Sequence, residues 1–347
     1  MDPKGPFRKR TLEELSATAN RLLVAAVAPS TYDNYSSSFE KYKVFCRHHK
    51  LGALPAEEST LILFATELSH THSHSSIKVH MSAIAYHSVI NGCPVNFAHC
   101  RKLYYLLRGI KRTQGKKHRR KKRAPITPST LKDINAHLFR SSRPYNDKVM
   151  LWAALLTAFY GFLRVSEYTS YRKTTYDPGT TLLYKDITFK SDGSISLLIK
   201  KSKTDPFRQG VVLRIAKNDS PLCPVNALCH LARIHPSKSG PLFTFANGRY
   251  LSRRDVNKLL VESTGGKMNI SSHSLRIGAA STAAASGCPK WLIQALGRWS
   301  SDCFRQYIRI PKNTIDRTSS ILARCRARDM ESFDPDTLSV FPCTLRD

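Results

Sequence analysis

The chain has 347 residues, enough for two domains that each bury a hydrophobic core. Its 55 Lys and Arg residues against 25 Asp and Glu residues give a formal net charge of +30, which predicts a nucleic acid as partner. An anionic membrane is the alternative, but the sequence has no lipidation motif and no apolar run long enough to span a bilayer, so no membrane partner is expected. Nine scattered cysteines without a CxxC pair indicate a reducing intracellular compartment and argue against a structural metal site.

The first third of the sequence predicts short helices. After Ser30, a plausible N-cap, aromatic residues recur three or four positions apart, and three further segments show helical patterns. The histidine-rich "SHTHSHS" at 69–75 is predicted to be a loop between helices rather than a metal site. Lysines and arginines are left on the polar faces, so residues 8–113 are predicted to form a small helical DNA-binding domain. The candidate DNA contacts here and in the following run are Lys43, Arg47, Lys78, Arg108, Lys111, Arg112, Lys116 and Arg119.

A strongly basic run separates the two halves of the chain. Nine of the thirteen residues from Lys111 to Arg123 are Lys or Arg, and none is acidic. Because such dense like charge favours an extended chain, residues 114–124 are predicted to be a linker. It could be a solvated tether, a strand lying along DNA phosphates or a nuclear-localisation patch, and these readings are compatible.

The second half, residues 125–330, predicts helices on both sides of a small sheet. "TPSTLKDINAHLF" and the apolar run Met150–Leu163 come first and are typical of helices. Three segments from 182 to 216, separated by "SDGS" and "PFRQG", then predict an antiparallel meander. Helical patterns return at 223 and end before a tail at 331–347. The predicted fold class is therefore mainly α with a small antiparallel β-sheet.

Two arginines stand where an anion would be held. Arg164 follows the long apolar run, and Glu167 lies three residues later on the same helical face, either to orient the arginine or to close a purely structural ion pair. His273 and Arg276 share a face in the first turn of a helix that Ser271 or Ser272 can cap. The N-terminal end of a helix favours an anion, but a lone His-x-x-Arg pattern is weak evidence.

Three more residues are candidates for the site only when they are considered together with these arginines. Lys203 lies at the tip between two predicted strands, where a lysine is usually solvent-exposed. Trp299 follows a helix that Gly297 ends, and a further helix beginning at Ser300 or Ser301 would place Tyr307 about two turns in. Tyr307 could be a packed aromatic, a DNA-stacking side chain or a nucleophile.

The order "FLRVSE", "SKTD", "HSLRIG" and "GRWSSDCFRQYIR" resembles the tyrosine recombinase (phage integrase) family, and the wording is most similar to recombinases of eukaryotic mobile elements of the DIRS-like and crypton kind. The resemblance implies a helical core-binding (SAM-like) domain followed by an α+β catalytic domain. It also implies a site-specific DNA recombinase or integrase that acts on double-stranded DNA without metal, cofactor or ATP.

The resemblance also implies a role for each matching residue. Arg164 and Arg276 would clamp the scissile phosphate, Lys203 would protonate the departing 5′ oxygen, and His273 would take part in proton transfer. Trp299 occupies a position where the family carries His or Trp, and Tyr307 would attack phosphorus to form a 3′-phosphotyrosyl intermediate. Glu167 would support Arg164.

The resemblance further implies four protomers on two DNA sites, with the helix after Tyr307 docking on a neighbouring protomer; docking within its own protomer is the alternative. A nuclear location is expected for a eukaryotic protein, or the nucleoid otherwise. A type IB topoisomerase, a non-catalytic DNA-binding protein and a ribosomal or chromatin-type basic protein are the rival functions. The last would account for the charge but not for the order of the motifs.

Overall fold

The architecture comes from a computed structural model that describes residues 10–115, 122–202, 205, 207, 209–235 and 238–309. The chain divides into two compact units between Arg120 and Lys121. Each unit has its own cluster of buried apolar side chains. Lys116, Arg119, Lys203 and the tail at 331–347 fall outside the described residues.

In residues 10–115, which the structure describes, the regular elements of the first unit are all helices. Its core is formed mainly by α2 packing on α4 and α3 packing on α5, around the fully buried Tyr42, Leu61 and Ile77. Local sequence sets the helix starts: Pro29 opens α2, and the Ser73 hydroxyl accepts a hydrogen bond from the N–H of Ser76 at the start of α4. The helices are α1 (Leu12–Ala25), α2 (Pro29–His48), α3 (Glu58–Ser69), α4 (His74–Ile90) and α5 (Arg101–Gln114).

The last helix of this unit ends where the linker is predicted to begin. The predicted linker starts at residue 114, and α5 ends at Gln114. The Gln114 amide fixes this helix end: its Nε2 donates to the carbonyls of Ser69 (3.2 Å) and His72 (2.8 Å), and its Oε1 accepts from the N–H of His74. This amide joins the end of α5 to the loop between α3 and α4.

Among the described residues of the second unit, seven α-helices and one sheet pack around a single core. The helices are α6 (Pro128–Arg140), α7 (Tyr145–Tyr160), α8 (Val165–Tyr168), α9 (Pro224–Ile234), α10 (Arg253–Ser263), α11 (Ser272–Ala285) and α12 (Lys290–Gly297). Short 3-10 helices occupy Tyr184–Asp186 and Asp302–Gln306. The strands are β1 (Ile187–Phe189), β2 (Ile195–Ile199) and β3 (Val211–Ile215). The predicted fold class, mainly α with a small antiparallel sheet, is confirmed.

The sheet is the predicted meander, with β2 in the middle. Ile187 pairs with Leu197 between β1 and β2, and Leu197 pairs with Leu213 between β2 and β3. The alternate residues Ile195, Leu197 and Ile199 of β2 are buried against the core.

Helix α7 is the centre of this unit. All its residues from 149 to 159 are buried, and it packs against α9 and α11. Within the described ranges, no helix combines the length and apolar character needed to cross a membrane.

Helix α11 starts as the sequence predicts and lies very close to its neighbour. The Ser271 hydroxyl accepts from the N–H of His273 (3.3 Å), which confirms a serine cap. Further along α11, a Cβ atom at Gly278 would overlap the carbonyl of Ile126, so only glycine allows this approach. The N–H of Ile126 also donates to the carbonyl of Ser274, which ties the start of the second unit to α11.

Candidate active site

Arg164 and Glu167 form a pair at the turn between α7 and α8. The Glu167 carboxylate reaches back to accept from the Arg164 N–H (2.9 Å), as a residue in the third helical position does in a capping box. Its Oε1 accepts from Arg164 Nη1 (3.1 Å) and from the Ser202 hydroxyl (2.9 Å), and Arg164 Nη1 also donates to Ser202 Oγ (2.8 Å). The pairing predicted from the i, i+3 spacing is present, and Ser202 joins it.

Arg276 lies at the centre of the site and is fully buried. Its Nη1 donates to the carbonyl of Phe162 and its Nη2 to the carbonyl of Gly297. Its guanidinium carbon lies 4.3 Å from the centre of the Trp299 ring, a cation–π distance. Burial, helped by the nearby Arg164 and Arg298, lowers the pKa of Arg276 to about 9, so it remains charged at neutral pH.

A third arginine, Arg298, shares the Glu167 carboxylate. Arg298 Nη2 donates to Glu167 Oε2 at 2.7 Å, and Arg298 also bonds the carbonyls of Gly161 and Phe162. Burial, which outweighs the attraction of Glu167, lowers the pKa of Arg298. Two guanidinium groups therefore share one carboxylate, and Arg276 lies near enough to feel its charge, so the cluster of three arginines and one carboxylate has a net positive charge.

Three buried N–H donors of this cluster have no acceptor. They are Nε of Arg276, Nε of Arg298 and Nε1 of Trp299, and nothing in the part of the chain that the structure describes accepts a hydrogen bond from them. A buried donor left unpaired costs about 1–3 kcal/mol, and buried donors in native proteins are nearly always paired. Unpaired donors beside an excess of positive charge are typical of a site that awaits an anion.

Tyr307 lies against this cluster through its ring. Its ring centre is 5.0 Å from that of Trp299 and 5.1 Å from that of His273. The guanidinium of Arg276 is 5.8 Å from the same ring. The structure thus brings together His273, Arg276, Trp299 and Tyr307, which the sequence motifs singled out.

The local structure around Tyr307 is shorter than predicted. Instead of two turns of α-helix from Ser300 or Ser301, a 3-10 helix covers Asp302–Gln306 and Tyr307 follows it. The hydroxyl of Ser281 on α11 explains where the chain turns away, because it donates to the Tyr307 carbonyl (3.1 Å) and accepts from the N–H of Arg309 (2.9 Å). Side-chain bonds of this kind compete with helix continuation and hold the half-buried Tyr307 beside α11.

His273 is held in its neutral form. Burial and, to a smaller extent, the positive charges of Arg123, Arg276, Arg164 and Arg253 together lower its pKa to about 4. A neutral imidazole at physiological pH can accept a proton, and its ring touches the Tyr307 ring.

The lysines of the hairpin differ in their surroundings. Lys200 forms an ion pair with the buried Asp186 (2.6 Å), and Lys201 is exposed. Lys203, the lysine that the resemblance selects, lies outside the described residues, so its role stays a prediction.

The candidate DNA contacts of the first unit are on helix surfaces. Lys43 and Arg47 lie on α2 beside Glu40, and Lys43 approaches that carboxylate to 2.6 Å. The others are exposed on α4 and α5: Lys78, Arg108, Lys111 and Arg112. In the described ranges, no three His, Cys, Asp or Glu side chains converge as metal ligands would.

No protein-family model matches the chain, and no curated protein matches it either. Solved structures do. The Tn1549 transposon integrase in complex with transposon right end DNA superimposes with a TM-score of 0.58 at 15% identity, over 90% of this chain and 100% of that one. The lambda integrase dimer on a COC′ core site gives 0.53 at 15%, over 95% of this chain and 85% of that one. XerH recombinase on palindromic difH, a post-cleavage complex, gives 0.53 at 14%, over 90% and 84%.

This chain has the tyrosine recombinase fold. At such low identity the likeness concerns the fold alone, and the chemistry depends on the side chains of this chain. The tyrosine recombinase fold found here carries two site residues that sequence reasoning missed, Arg298 and Ser202. The signal for Arg298 was its place directly after Gly297 at a helix end, whereas nothing near Ser202 pointed to Glu167, 35 residues away.

Proposed function

We propose that this protein is a DNA strand transferase, a site-specific recombinase that breaks and rejoins DNA through Tyr307. The observation that carries the proposal is the cluster of Arg164, Arg276 and Arg298 around the single carboxylate of Glu167, beside the ring of Tyr307. An excess of guanidinium groups and unpaired N–H donors suits a phosphate oxyanion, because arginine donates to phosphate in a bidentate, charge-assisted geometry.

The cluster would bind the transition state more tightly than the ground state. When an oxygen attacks phosphorus, negative charge grows on the non-bridging oxygens, and preorganised donors facing those oxygens gain strength in step with it. Arg164, Arg276 and the Nε1 of Trp299 are such donors. Their burial makes each interaction stronger than it would be in water.

The proposed step conserves the energy of the broken bond. The Tyr307 hydroxyl oxygen attacks the scissile phosphorus, a new O–P bond forms, and the bond from phosphorus to the 5′ oxygen breaks. The phenol proton passes to the neutral His273, and the departing 5′ oxygen takes a proton from Lys203, as the resemblance implies. Attack by another 5′ hydroxyl on the phosphotyrosine reverses these transfers and rejoins a strand. The tyrosyl ester stores the phosphodiester energy, so no ATP is needed.

DNA is the substrate that the charge and the fold together favour. A net charge of +30 suits a polyphosphate. The fold neighbours named above are solved in complex with DNA sites, which supports DNA as the partner of this chain too. The wording of the motifs supports a mobile-element recombinase of the DIRS-like or crypton kind as the narrower assignment.

The experiment that tests the proposal traps the covalent intermediate. Sequences bound by the full chain are selected from a random DNA pool, and the best site is made with a nick so that the short 5′-hydroxyl fragment diffuses away after cleavage. We expect a detergent-resistant protein–DNA adduct that maps to Tyr307. Tyr307→Phe should bind the site normally and form no adduct, whereas Tyr171→Phe, at a fully exposed tyrosine, should form it at the wild-type rate.

The outcomes separate the rival functions. An adduct on another residue, or undiminished cleavage by Tyr307→Phe, would refute the role of Tyr307. Tight binding without any adduct would indicate a non-catalytic DNA-binding protein. Relaxation of supercoiled plasmid that lacks the selected site would indicate a type IB topoisomerase.

Assembly and location are proposed on the sequence alone. We propose a homotetramer that holds two DNA sites, and a nuclear location if the chain is eukaryotic. The helix candidate after Tyr307, which the first of these proposals uses, lies outside the described residues.

A further inference from the structure

Arg298 adopts a backbone conformation that arginine seldom takes. It ends α12 with φ 54° and ψ 48°, in the left-handed region that favours glycine. Phe162, which ends the turn after α7, has φ 49° and lies in the same region. Strained positions of this kind persist where the surroundings over-determine them, and they cluster at functional sites.

The side chain of Arg298 extends into the site. Only 10% of that side chain is exposed. Its Nη1 bonds the carbonyl of Gly161 (3.1 Å), and its Nη2 bonds the carbonyl of Phe162 (3.3 Å) and the carboxylate of Glu167 (2.7 Å). One side chain thus connects the end of α12 to both the α7–α8 turn and the carboxylate that orients Arg164.

The two oxygens of Glu167 are divided between two arginines. Oε1 accepts hydrogen bonds from Arg164 Nη1 and from the Ser202 hydroxyl. Oε2 accepts them from Arg298 Nη2 and from the backbone N–H of Arg164. If Glu167 faced Arg164 alone, the two charges would cancel and the carboxylate would repel a phosphate. Arg298 compensates that charge at the other carboxylate oxygen, and its own Nε is buried and has no acceptor among the described residues.

We propose that Arg298 is a positioning residue for phosphoryl transfer: it neutralises and holds Glu167, so that Glu167 orients Arg164 without cancelling its charge toward the phosphate. The inference rests on the proposed function, since it names the residue that holds Glu167 and thereby orients Arg164 in that same site. It assigns the third arginine a role distinct from that of the two arginines that face the phosphate.

The test is a double-mutant cycle of four proteins: wild type, Arg298→Gln, Glu167→Gln and the double variant. The first readout is the rate of covalent adduct formation at saturating nicked DNA. We expect Arg298→Gln to slow this rate by about a hundredfold, as displaced catalytic groups do, while the Kd for the DNA site changes far less. The double variant should be faster than Arg298→Gln alone, because removing the carboxylate charge removes the need for its counter-ion. Arg214→Gln, which loses an exposed Arg–Asp pair in the same unit, controls for the lost charge.

A second readout does not depend on cleavage. Inorganic phosphate, compared with chloride at equal ionic strength, should raise the Tm of wild type and of the double variant but not that of Arg298→Gln. If wild type forms no adduct, the proposed function fails. The change in Tm on adding phosphate then still tests whether Arg298 sets the charge of the anion site. If Arg298→Gln does not fold, Arg298→Lys replaces it, and this variant should keep both readouts because it keeps the charge.

Three results would overturn the proposal. The first is Arg298→Gln within about twofold of wild type in both readouts. The second is a double variant no better than Arg298→Gln, which would reduce Arg298 to a helix-end cap. The third is loss of both readouts in a folded Arg298→Lys.

Discussion

The indole of Trp299 lies directly over Gly297, so closely that a Cβ atom at residue 297 would overlap carbons of the ring. The same glycine offers its carbonyl to Arg276, whose guanidinium carbon lies 4.3 Å from the centre of that indole ring. The absence of a side chain at Gly297 is therefore what allows Trp299, Arg276 and Tyr307 to meet.

Gly297→Ala should disrupt this arrangement. The methyl group would push Trp299 away from Arg276, and overpacking of this kind costs about 1–3 kcal/mol. We expect a lower Tm and slower adduct formation, measured by thermal unfolding and by the nicked-site assay. Gly179→Ala is the matched control, because its Cβ would meet only the carboxylate tip of Asp177. Equal effects of the two substitutions would contradict the packing argument.

The proton affinity of His273 should be low until DNA arrives. Its pKa in the folded protein is about 4 against an ordinary value of 6.5, so the unfolded chain binds the proton more readily between those values. His273 should therefore contribute a loss of stability as the pH falls from about 6.5 toward 4, and no change above 6.5. NMR titration of the imidazole, assigned with His273→Gln, checks the midpoint directly. A midpoint between 6 and 7 in free protein would contradict burial among cations.

Phosphate binding should reverse that shift. A nearby anion stabilises the imidazolium, so the pKa of His273 should rise when the selected DNA site binds. The same titration on the complex of Tyr307→Phe with uncleaved DNA tests this, since no chemistry intervenes. An unchanged midpoint would place His273 away from the bound phosphate.

Substitutions of Lys200 and Lys203, two of the three hairpin lysines, should impair the protein in different ways. Lys203→Ala should slow cleavage by about 10²–10⁴-fold, the usual contribution of a general acid. A site with sulfur in place of the bridging 5′ oxygen should restore the rate, because a thiolate leaves without a proton. Lys200→Ala removes the ion pair with Asp186 and should lower the Tm with no response to sulfur. Rescue of Lys200→Ala instead would move the acid role to Lys200.

DNA binding should weaken steeply with salt. Each phosphate neutralised by Lys or Arg releases counter-ions, so affinity should fall strongly between about 50 and 200 mM salt. Replacing both Lys116 and Arg119 by glutamine should reduce the slope of log K against log salt by about two, since each phosphate contact contributes roughly one. An unchanged slope would make this run a tether that does not touch DNA.

The sequence by itself determined the elements and the order of the site motifs. Ser271 caps α11, and most of the predicted apolar run Met150–Leu163 lies in α7, which ends at Tyr160, because capping and periodicity act within a few residues. Turn residues between strand patterns predicted the three-stranded meander, and the i, i+3 spacing predicted the Arg164–Glu167 pair. Local signals failed where a distant partner intervened, as at Ser281, which holds the chain after a 3-10 turn at Gln306.

Only the tertiary structure decided the electrostatics of the site. The contact between Arg298 and Glu167 joins residues 131 positions apart, and no spacing rule reaches that far. Whether an arginine is exposed or fully buried, as Arg276 is, depends on how α7, α11 and α12 pack, and burial is what turns three ordinary cations into a cluster with unpaired donors. Sequence patterns name the chemical groups; the low-polarity packing around them sets their charge balance and their pKa values.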